Sequence, residues 1–346
     1  MRVLAIDPGT MSTAILLVEE NRVEEYIEIT SRELSRKPET LFEVIERKEP
    51  DIVVAPSGYG LPPVDIRDLS LEERLKSLLI REDDPGVEDL KYISFFLRNV
   101  SRVKVPVIGL PGVYNLATIS NSKRINRIDL GTADKVATAI LAAYIYTEGD
   151  IERLKNSNII VLELGAFTAG VAISRGEIID GIGGTLYPIG LVSGGGWDGE
   201  VTVYIARRIF KKDLFRGGLR DICRSTDLRD VYERCREAFD RYVEDIAKTI
   251  AMLEVSIRKR SSERIKIYLS GRGADKLIIE SLEEYNYIAE TLPSYFKNTK
   301  SHSEIKRSVE GAALYGLLWV NNRDFLRTLG VLREWISYTD RLLYYK

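Results

Sequence analysis

Two carboxylates follow two similar apolar stretches of this chain. One stretch leads into Asp7 and Gly9 near the start of the chain, and the other leads into Glu163 and Gly165. A shift of 156 positions superimposes the second pair on the first. A further apolar run follows each pair, so each region predicts two strands joined by a tight turn, in which glycine lets the backbone approach a ligand closely. Two such hairpins predict two related half-molecules that face each other across a cleft, an arrangement that suits a nucleotide and its metal ion.

Length and composition limit the class of protein. A chain of 346 residues exceeds the usual size of one hydrophobic core, so we expect two domains, residues 1–150 and 151–346. The formal net charge of -2, from 50 basic and 52 acidic residues, gives no electrostatic reason to expect a nucleic acid or an anionic membrane as partner. No apolar run approaches the roughly 20 residues that cross a bilayer, and the N-terminus carries no export signal. We therefore expect a cytoplasmic protein.

Cysteine and histidine are too scarce for a zinc site. Cys223 and Cys235 are the only cysteines and His302 is the only histidine, whereas a zinc site of this kind needs about four ligands. Cys235 falls within a helical pattern at residues 231–258, and this position, together with the expected compartment, disfavours a disulfide. We therefore expect two ordinary thiols. A catalytic pair of cysteine and His302 is a remote alternative, because the histidine lies in a polar segment.

Strands and helices alternate along the chain, which predicts an α/β fold. The apolar periodicity predicts helices at residues 32–49, 87–100, 133–146, 231–258 and 309–320. Beyond the first hairpin it predicts strands at residues 23–29, 51–55, 105–110 and 266–269, with three more between residues 155 and 181. Residues 61–86 are charged and contain proline, so we expect an insertion over the mouth of the cleft, and residues 57–60 would form a wall of the pocket. The glycine-dense loop at residues 181–199 is either a closing element or a set of ordinary turns.

Five features of the sequence follow one another in a definite order. They are Asp7-x-Gly9-Thr10 in the first hairpin, the alanine-rich helix at 133–146, Glu163-x-Gly165 in the second hairpin, Ser270-Gly271-Arg272-Gly273 after a strand, and a glycine–alanine helix at 310–316. This set resembles the superfamily of actin, the sugar kinases, the acetate kinases and the heat-shock chaperone ATPases, whose elements are called phosphate-1, connect-1, phosphate-2, adenosine and connect-2. Within it, the chain is similar to an archaeal family of predicted butyrate kinases. The resemblance implies two ribonuclease-H-like domains with Mg-ATP in the cleft between them.

The resemblance also implies roles for individual residues. Asp7 and Glu163 would hold Mg²⁺, a hard cation that favours carboxylate and phosphate oxygens. The residues that would contact the nucleotide are Asp7, Gly9 and Thr10 in the first turn, Gly165, Phe167 and Thr168 in the second, and Ser270, Gly271, Arg272 and Gly273 in the adenosine turn. Two positions depart from the family pattern. Glu163 stands where aspartate is usual, which changes the distance to the metal by a methylene, and Arg272 interrupts a run of small residues, where it would contact the nucleotide or block its usual pose.

The polar segment at residues 123–135, just before the connect-1-like helix, supplies candidates for the acceptor side. Asp134 would act as a general base or orient the acceptor; the alternative is that it only favours the helix N-terminus electrostatically. Arg124 and Arg127 are candidate active-site cations, with a solvated surface position as the alternative for each. A hydroxyl acceptor needs a base, whereas a carboxylate acceptor is already ionised near neutral pH and needs positive charge instead.

These features together predict an ATP- and Mg²⁺-dependent kinase of a small-molecule acceptor. The preference for a short-chain carboxylate as acceptor comes from the family resemblance. A kinase for a sugar or another hydroxyl acceptor is the nearest alternative. An alternative of another class is an ATPase or a degenerate nucleotide-binding interaction module. The tail from Trp335 to Tyr345 would pack within the chain or contact a second copy in a homodimer.

Overall fold

A computed structural model gives the fold and describes residues 1–80, 84, 86–205, 209–296 and 304–338. In this part of the chain the strands fall into two groups of five. The first group contains β1 (Arg2–Asp7), β2 (Ser12–Glu19), β3 (Arg22–Thr30), β4 (Ile52–Val54) and β5 (Val107–Ile108). The second group contains β6 (Asn158–Leu164), β7 (Thr168–Ser174), β8 (Glu177–Ile182), β9 (Lys266–Ser270) and β10 (Ala289–Thr291).

Helices follow and connect these strands. The α-helices before residue 150 are α1 (Ser31–Arg36), α2 (Thr40–Lys48), α3 (Leu71–Lys76), α4 (Lys91–Arg98), α5 (Asn121–Arg124) and α6 (Ala133–Thr147). Those after it are α7 (Ile151–Lys155), α8 (Gly199–Ile205), α9 (Leu219–Cys223), α10 (Leu228–Arg234), α11 (Arg236–Arg258), α12 (Lys276–Glu283), α13 (Arg307–Asn321) and α14 (Arg323–Leu329). Short 3-10 helices lie at Ile66–Asp68, Glu88–Leu90, Val100–Arg102, Val113–Asn115 and Lys211–Phe215. None of the helices in the described part of the chain is long and apolar enough to cross a membrane.

Each group of strands forms one mixed sheet, and the two sheets have the same topology. The strand orders are β3-β2-β1-β4-β5 and β8-β7-β6-β9-β10. In each sheet the first three strands of the group pair antiparallel in sequence. The fourth strand pairs parallel with the central strand, and the fifth pairs parallel with the fourth. This correspondence of β1–β5 with β6–β10 confirms the repeat that the 156-residue shift predicts. The central strands β1 and β6 are almost wholly buried, because a strand with neighbours on both sides needs apolar residues on both faces.

Two helices form the layer between the sheets. Helix α6 packs against β6 and β7 of the second sheet, and α13 packs against β1, β2 and β4 of the first. The two helices also pack against each other at close range, since a Cβ atom at Gly311 of α13 would lie 2.0 Å from the Ala137 carbonyl oxygen of α6. A Cβ at Gly316 would lie 2.5 Å from the Val3 side chain of β1. The helices thus cross from one half of the chain to the other, and the domain boundary at residue 150 stays a prediction.

Two of the predicted helices are divided. The helix expected at residues 32–49 is α1 followed by α2, because Pro38 lies between them and proline cannot continue a helix. The helix expected at residues 231–258 is α10 followed by α11. The break falls at Cys235, whose backbone leaves the helical region with φ at -143° and ψ at 48°.

The break at Cys235 corrects the prediction for the cysteines. Cys223 and Cys235 form a disulfide, so the expectation of two ordinary thiols is wrong. Because Cys235 lies at the junction of α10 and α11, and Cys223 ends α9, their Cα atoms come within 5.9 Å, a normal separation for a disulfide. Neither thiol is therefore available for the alternative of a cysteine–histidine pair, and His302 itself lies outside the described residues.

The C-terminal segment packs against the first half of the chain. Trp335 forms an isolated β-bridge with Leu116, and the ring of Tyr338 stacks on Tyr114 with centroids 4.8 Å apart. The Tyr338 hydroxyl donates a 2.6 Å hydrogen bond to the carbonyl oxygen of Tyr59. These contacts confirm intrachain packing for the described part of the tail, which ends at residue 338.

Candidate active site

A cavity of about 680 Å³ lies between the two halves of the chain. The turns of both hairpins line it, together with residues 131–135 and Ala137 at the start of α6 and residues 304–308 at the start of α13. Ser57, Gly58 and Tyr59 form part of its wall, which confirms the predicted role of that loop. Side chains from the predicted insertion, including Leu78 and Ile80, also line the cavity.

Asp7 ends β1 and lies against the first turn of α13. Its side chain is 7% exposed, and its Oδ2 accepts a 2.6 Å hydrogen bond from Ser308 Oγ. Burial raises the pKa of the Asp7 carboxyl, and the charge of Asp134 adds to the rise, while Lys306 opposes it. Holding this carboxylate ionised costs free energy, which a bound cation would offset.

Glu163 occupies the corresponding position on β6, and its partners lie on α6. The Thr138 hydroxyl donates to one carboxylate oxygen at 3.1 Å, and the Lys135 ammonium lies 3.3 Å from the other. Burial raises the pKa of Glu163 to about 7; the charge of Lys135 opposes the rise, and the charges of Asp134 and Asp7 add to it. The two predicted metal ligands therefore belong to one electrostatic cluster.

Asp134 joins this cluster, but both of its carboxylate oxygens are already engaged. The Thr132 hydroxyl donates to one oxygen, and the Lys135 ammonium pairs with the other. Burial lowers the pKa of Lys135, but the neighbouring carboxylates of Asp134 and Glu163 outweigh that effect and hold the pKa above its usual range. Lys135 is thus a fixed positive charge between two carboxylates. This arrangement indicates that Asp134 positions Lys135, and it disfavours the alternative role of Asp134 as a general base.

A second cation, Lys306, lies beside the turn of the first hairpin. Its ammonium donates to the Ser12 carbonyl oxygen at 2.9 Å and to Ser12 Oγ at 2.8 Å, and it pairs with Glu28 at 3.1 Å. Gly9 is needed here for close approach, since a Cβ would lie 2.6 Å from the Ser12 carbonyl oxygen. Neither Lys306 nor Ser308 belongs to a sequence motif, and the packing of α13 on β1 brings both to the site.

Two helices begin at the cavity. Helix α6 begins at Ala133 and α13 begins at Arg307, and the first residues of both line the cavity. Unpaired N–H groups in the first turn of a helix, together with the helix dipole, attract anions such as phosphate. The cavity therefore combines buried carboxylates with two regions that favour negative charge on a ligand.

Two of the three residues predicted in the second turn line the cavity, and Thr168 does not. Gly165 and Phe167 line the cavity, and Phe167 also packs edge-on against Phe215 with ring centroids 4.9 Å apart. Thr168 begins β7 and is 0% exposed, and it does not line the cavity, whereas its neighbours Phe167 and Ala169 do. Side chains alternate between the two faces of a strand, so the prediction that Thr168 contacts the nucleotide is wrong for its side chain.

The predicted adenosine turn meets the cavity with three of its four residues. Ser270, Gly271 and Arg272 line the cavity, and the Arg272 guanidinium reaches across to Glu28 at 3.4 Å. Gly273 does not line it, because its N–H donates at 2.7 Å to the Leu164 carbonyl oxygen of β6. The prediction for Gly273 is therefore corrected to a packing role.

The two predicted acceptor-side arginines do not reach the cavity. Arg124 is 2% exposed, and its guanidinium donates to the backbone carbonyl oxygens of Tyr114, Leu116 and Ile119 at 2.5 to 2.8 Å. Five N–H donors in a fixed fork make arginine well suited to holding such a loop together. Arg127 is exposed and lies outside the cavity lining. The prediction of active-site cations is therefore wrong for both residues, and Arg124 organises the backbone instead.

Sequence reasoning missed two further polar groups of the cavity. Asp129 accepts hydrogen bonds from the Thr185 N–H at 3.0 Å and from the Thr185 hydroxyl at 2.7 Å, so it connects the first half of the chain to the glycine-dense loop. Lys211 donates to the Tyr59 hydroxyl at 2.8 Å. Asp129 falls within the polar segment 123–135, which could have drawn attention to it, whereas no pattern marks Lys211.

The donor set of the cavity fits Mg²⁺. Among the described residues, no group of three or more Asp, Glu, His or Cys side chains stands ready to hold a metal ion alone. Mg²⁺ in phosphoryl-transfer sites is bound by one or two carboxylates and completed by phosphate oxygens and water. Asp7 and Glu163 would supply those two carboxylates. Burial first, and neighbouring carboxylates in addition, raise the pKa of each, and a divalent cation would offset both effects.

Comparison with known proteins identifies the family and the fold. The chain belongs to the family described as protein of unknown function (DUF1464), whose pattern matches residues 5–331. No curated protein matches the chain.

Solved structures share the architecture at low sequence identity. An acetate kinase from Entamoeba histolytica is 15% identical over 83% of this chain and 86% of its own, with a TM-score of 0.54. A propionate kinase from Francisella tularensis is 15% identical over 90% of this chain and 98% of its own, with a TM-score of 0.55. A protein from Listeria monocytogenes, provisionally named an N-acetylmannosamine kinase, is 12% identical over 93% of this chain and 100% of its own, with a TM-score of 0.54. With the two repeated sheets, this likeness confirms the predicted α/β fold of two ribonuclease-H-like domains.

Proposed function

We propose that this chain is an ATP- and Mg²⁺-dependent kinase of a small-molecule acceptor, with a short-chain carboxylate as the preferred acceptor. One observation carries the proposal: Asp7, at the end of β1, and Glu163, one residue before the end of the equivalent strand β6, line one cavity, with the ammonium of Lys135 beside Glu163. Phosphoryl transfer asks the protein for alignment and charge neutralisation rather than covalent chemistry. A cavity with two metal-binding carboxylates, fixed ammonium groups and helix N-termini meets that requirement.

The residues of the cavity divide by the part of Mg-ATP that each would contact. Asp7 and Glu163 would hold Mg²⁺, which when bound neutralises the charge that develops on the transferred phosphoryl group. The backbone of the two turns would approach the phosphates at Gly9, Thr10 and Gly165. Lys135, Lys306 and the N-termini of α6 and α13 supply positive charge, and Ser270, Gly271 and Arg272 would contact the nucleoside.

The engaged state of Asp134 favours a carboxylate acceptor over a hydroxyl. A carboxylate oxygen supplies the electron pair of the new bond to the γ-phosphorus. The bond from that phosphorus to the β–γ bridging oxygen breaks, and its electron pair stays on ADP. No proton has to be removed from the acceptor. Asp134, held by Thr132 and Lys135, is then needed for position and not as a base.

The first test is calorimetric titration of Mg-ATP into the wild type and into Asp7→Asn. Asparagine keeps the shape of the side chain and an oxygen that accepts from Ser308, so we expect the fold to persist. Binding should weaken by at least about 100-fold because a metal ligand loses its charge. Glu46→Gln, which changes an exposed carboxylate on α2, is the matched control and should bind Mg-ATP as the wild type does. No Mg-ATP binding by the wild type would contradict the proposal and favour a degenerate interaction module.

The second test identifies the acceptor. Wild-type protein is incubated with Mg-ATP, a series of carboxylic acids or sugars, and hydroxylamine, which converts acyl phosphates but not phosphate esters into hydroxamates. Hydroxamate formation with short-chain acids is the expected result. Phosphorylated sugar without hydroxamate would overturn the choice of acceptor, and ATP hydrolysis that no acceptor stimulates would favour an ATPase.

A further inference from the structure

Lys211 stands apart from the other cations of the cavity. It lies in the 3-10 helix Lys211–Phe215 of the second half of the chain and reaches Tyr59 of the first half. Its ammonium donates to the Tyr59 hydroxyl at 2.8 Å and lies 4.1 Å from the centre of the Tyr59 ring. Its backbone N–H donates at 2.8 Å to the Asp84 carboxylate. Lys211 therefore connects the two walls of the cavity and is held at both its backbone and its side chain.

The other cationic side chains that line the cavity are all paired with carboxylates. Their ion pairs join Lys91 to Glu88, Lys135 to Asp134 and Glu163, Arg272 and Lys306 to Glu28, and Arg307 to Glu304 and Glu310. For Lys211, no carboxylate of the described residues lies within the 4 Å of an ion pair, and its hydrogen-bond partner is a neutral phenol. A half-buried ammonium without a carboxylate partner is free to bind an anionic ligand.

The protein holds this charge at a cost. Burial lowers the pKa of Lys211 to about 8, and the more distant carboxylates of Asp129 and Asp84 only partly oppose the shift. Of the groups that face the ammonium, Tyr59 is neutral, because burial raises the pKa of its hydroxyl well above its usual range. A cation that is kept in a cavity against its own desolvation indicates a functional role.

Apolar side chains from both halves of the chain also line the cavity around the contact between Lys211 and Tyr59. Leu78 and Ile80 of the insertion line the cavity. They lie near Tyr59, since the carbonyl oxygen of their neighbour in the chain, Ser77, accepts a 2.9 Å hydrogen bond from the Tyr59 N–H. From the second half of the chain, Leu214 and Phe215 line the cavity within the same 3-10 helix as Lys211. One free ammonium among aliphatic and aromatic side chains matches a ligand with one anionic group and an apolar body.

We infer that Lys211, with the Tyr59 hydroxyl, binds the carboxylate of an aliphatic monocarboxylic acid whose chain lies against these apolar side chains. This inference rests on the proposed function and adds the residue that selects the acceptor. One oxygen of the acid accepts a hydrogen bond from the ammonium, and the other remains to attack the γ-phosphorus as described above. Lys211 transfers no proton in that step.

The test compares acceptor binding with nucleotide binding in the same variants. Butyrate is titrated by calorimetry into protein saturated with Mg-ADP, which binds without reacting, and Mg-ADP is titrated separately. Lys211→Met should weaken butyrate binding at least tenfold and leave Mg-ADP binding unchanged, whereas Lys211→Arg should stay within about threefold of the wild type for both. Neutral butyramide should bind equally to the wild type and to Lys211→Met. Lys212→Met, a change at the exposed neighbouring residue, is the matched control and should bind butyrate as wild type.

The outcomes separate the inference from the proposed function. Unchanged butyrate binding in Lys211→Met would overturn the inference and leave the kinase proposal standing. Wild-type binding of Mg-ADP but of no aliphatic acid would also overturn the inference and direct attention to another acceptor. Failure of the wild type to bind Mg-ADP would contradict the proposed function itself. Thermal unfolding of each variant shows whether a loss of binding reflects the fold, and Lys211→Met should be no less stable than the wild type.

Discussion

Two hairpins, β1–β2 and β6–β7, each place a carboxylate at the cavity, but their turns differ in length. Asp7 pairs with Ala14 across the first hairpin, whereas Glu163 pairs with Ala169 across the second. The second turn therefore contains one residue fewer between the paired positions. The second hairpin has the shorter turn but the longer carboxylate side chain.

The two carboxylates also differ in what holds them. Asp7 is bound by Ser308 at the start of α13, and Glu163 is bound by Thr138 and Lys135 of α6. Each hairpin thus takes its partners from a different helix of the layer between the sheets. The comparison teaches that the duplicated strands supply the carboxylates, whereas the unequal turns and helices give each carboxylate its own environment.

The largest expected effect comes from a methyl group in the first turn. Gly9→Ala places a Cβ 2.6 Å from the Ser12 carbonyl oxygen, whereas at Gly165 the nearest atom, the Phe167 carbonyl oxygen, is 3.5 Å away. We expect Gly9→Ala to lower the free energy of unfolding by about 2 to 4 kcal/mol and to abolish measurable Mg-ATP binding. Gly165→Ala should cost less than about 1 kcal/mol. Urea unfolding of both variants measures the difference, and equal costs would show that the two turns are equally tight.

The next effect tests the match between turn and side chain. Asp7→Glu adds a methylene to a buried carboxylate against Ser308, and Glu163→Asp removes one and withdraws the carboxylate from Thr138. We expect Mg-ATP binding to weaken by about 100-fold in Asp7→Glu and by about tenfold in Glu163→Asp. Calorimetry measures both. A larger loss in Glu163→Asp would mean that the second carboxylate is the more tightly constrained of the two.

A pH titration separates the paired cations beside the hairpins from Lys211. Because the pKa of Lys211 is about 8, its charge is lost as the pH rises through that value. Butyrate affinity should be constant near pH 7 and fall by about tenfold for each pH unit above 8. Lys211→Arg, whose guanidinium stays charged, should remove this dependence. The titration should extend to about one and a half pH units above this pKa. A wild-type butyrate affinity that stays constant over that whole range would speak against Lys211 as the anion site.

The smallest effect concerns stability. The pKa of Lys211 is about 8 in the folded chain, below the ordinary value of 10.5, so the unfolded chain binds more protons between these values and wild-type stability rises with pH there. Lys211→Met should therefore be more stable than the wild type by about 1 to 3 kcal/mol at pH 7. The gain should shrink as the pH rises toward 10.5. Lys212→Met, at an exposed position, should show neither the gain nor its pH dependence.

Local patterns were sufficient for the duplicated hairpins and for much of the site. Asp7 and Glu163 could be found because a strand that ends in a carboxylate and a glycine leaves a pattern of a few adjacent residues. The same kind of pattern led to wrong assignments where the direction of a side chain mattered. Thr168 lies in the right turn but on the opposite face of β7, and Arg124 lies in the right segment but turns inward to backbone carbonyls.

The sequence by itself determined the repeated strands, the carboxylate near the end of each central strand and the helices predicted at 133–146 and 309–320. It did so because alternation, helical periodicity and glycine turns act between near neighbours along the chain. Only the tertiary structure decided which cations would meet those carboxylates. Lys306 and Ser308 reach the first hairpin because Gly316 lets α13 lie against Val3 of β1, and Lys211 reaches Tyr59 because the two halves face each other. Contacts between residues so far apart in the sequence depend on how whole helices and sheets pack, and this packing cannot be predicted from any short stretch of sequence.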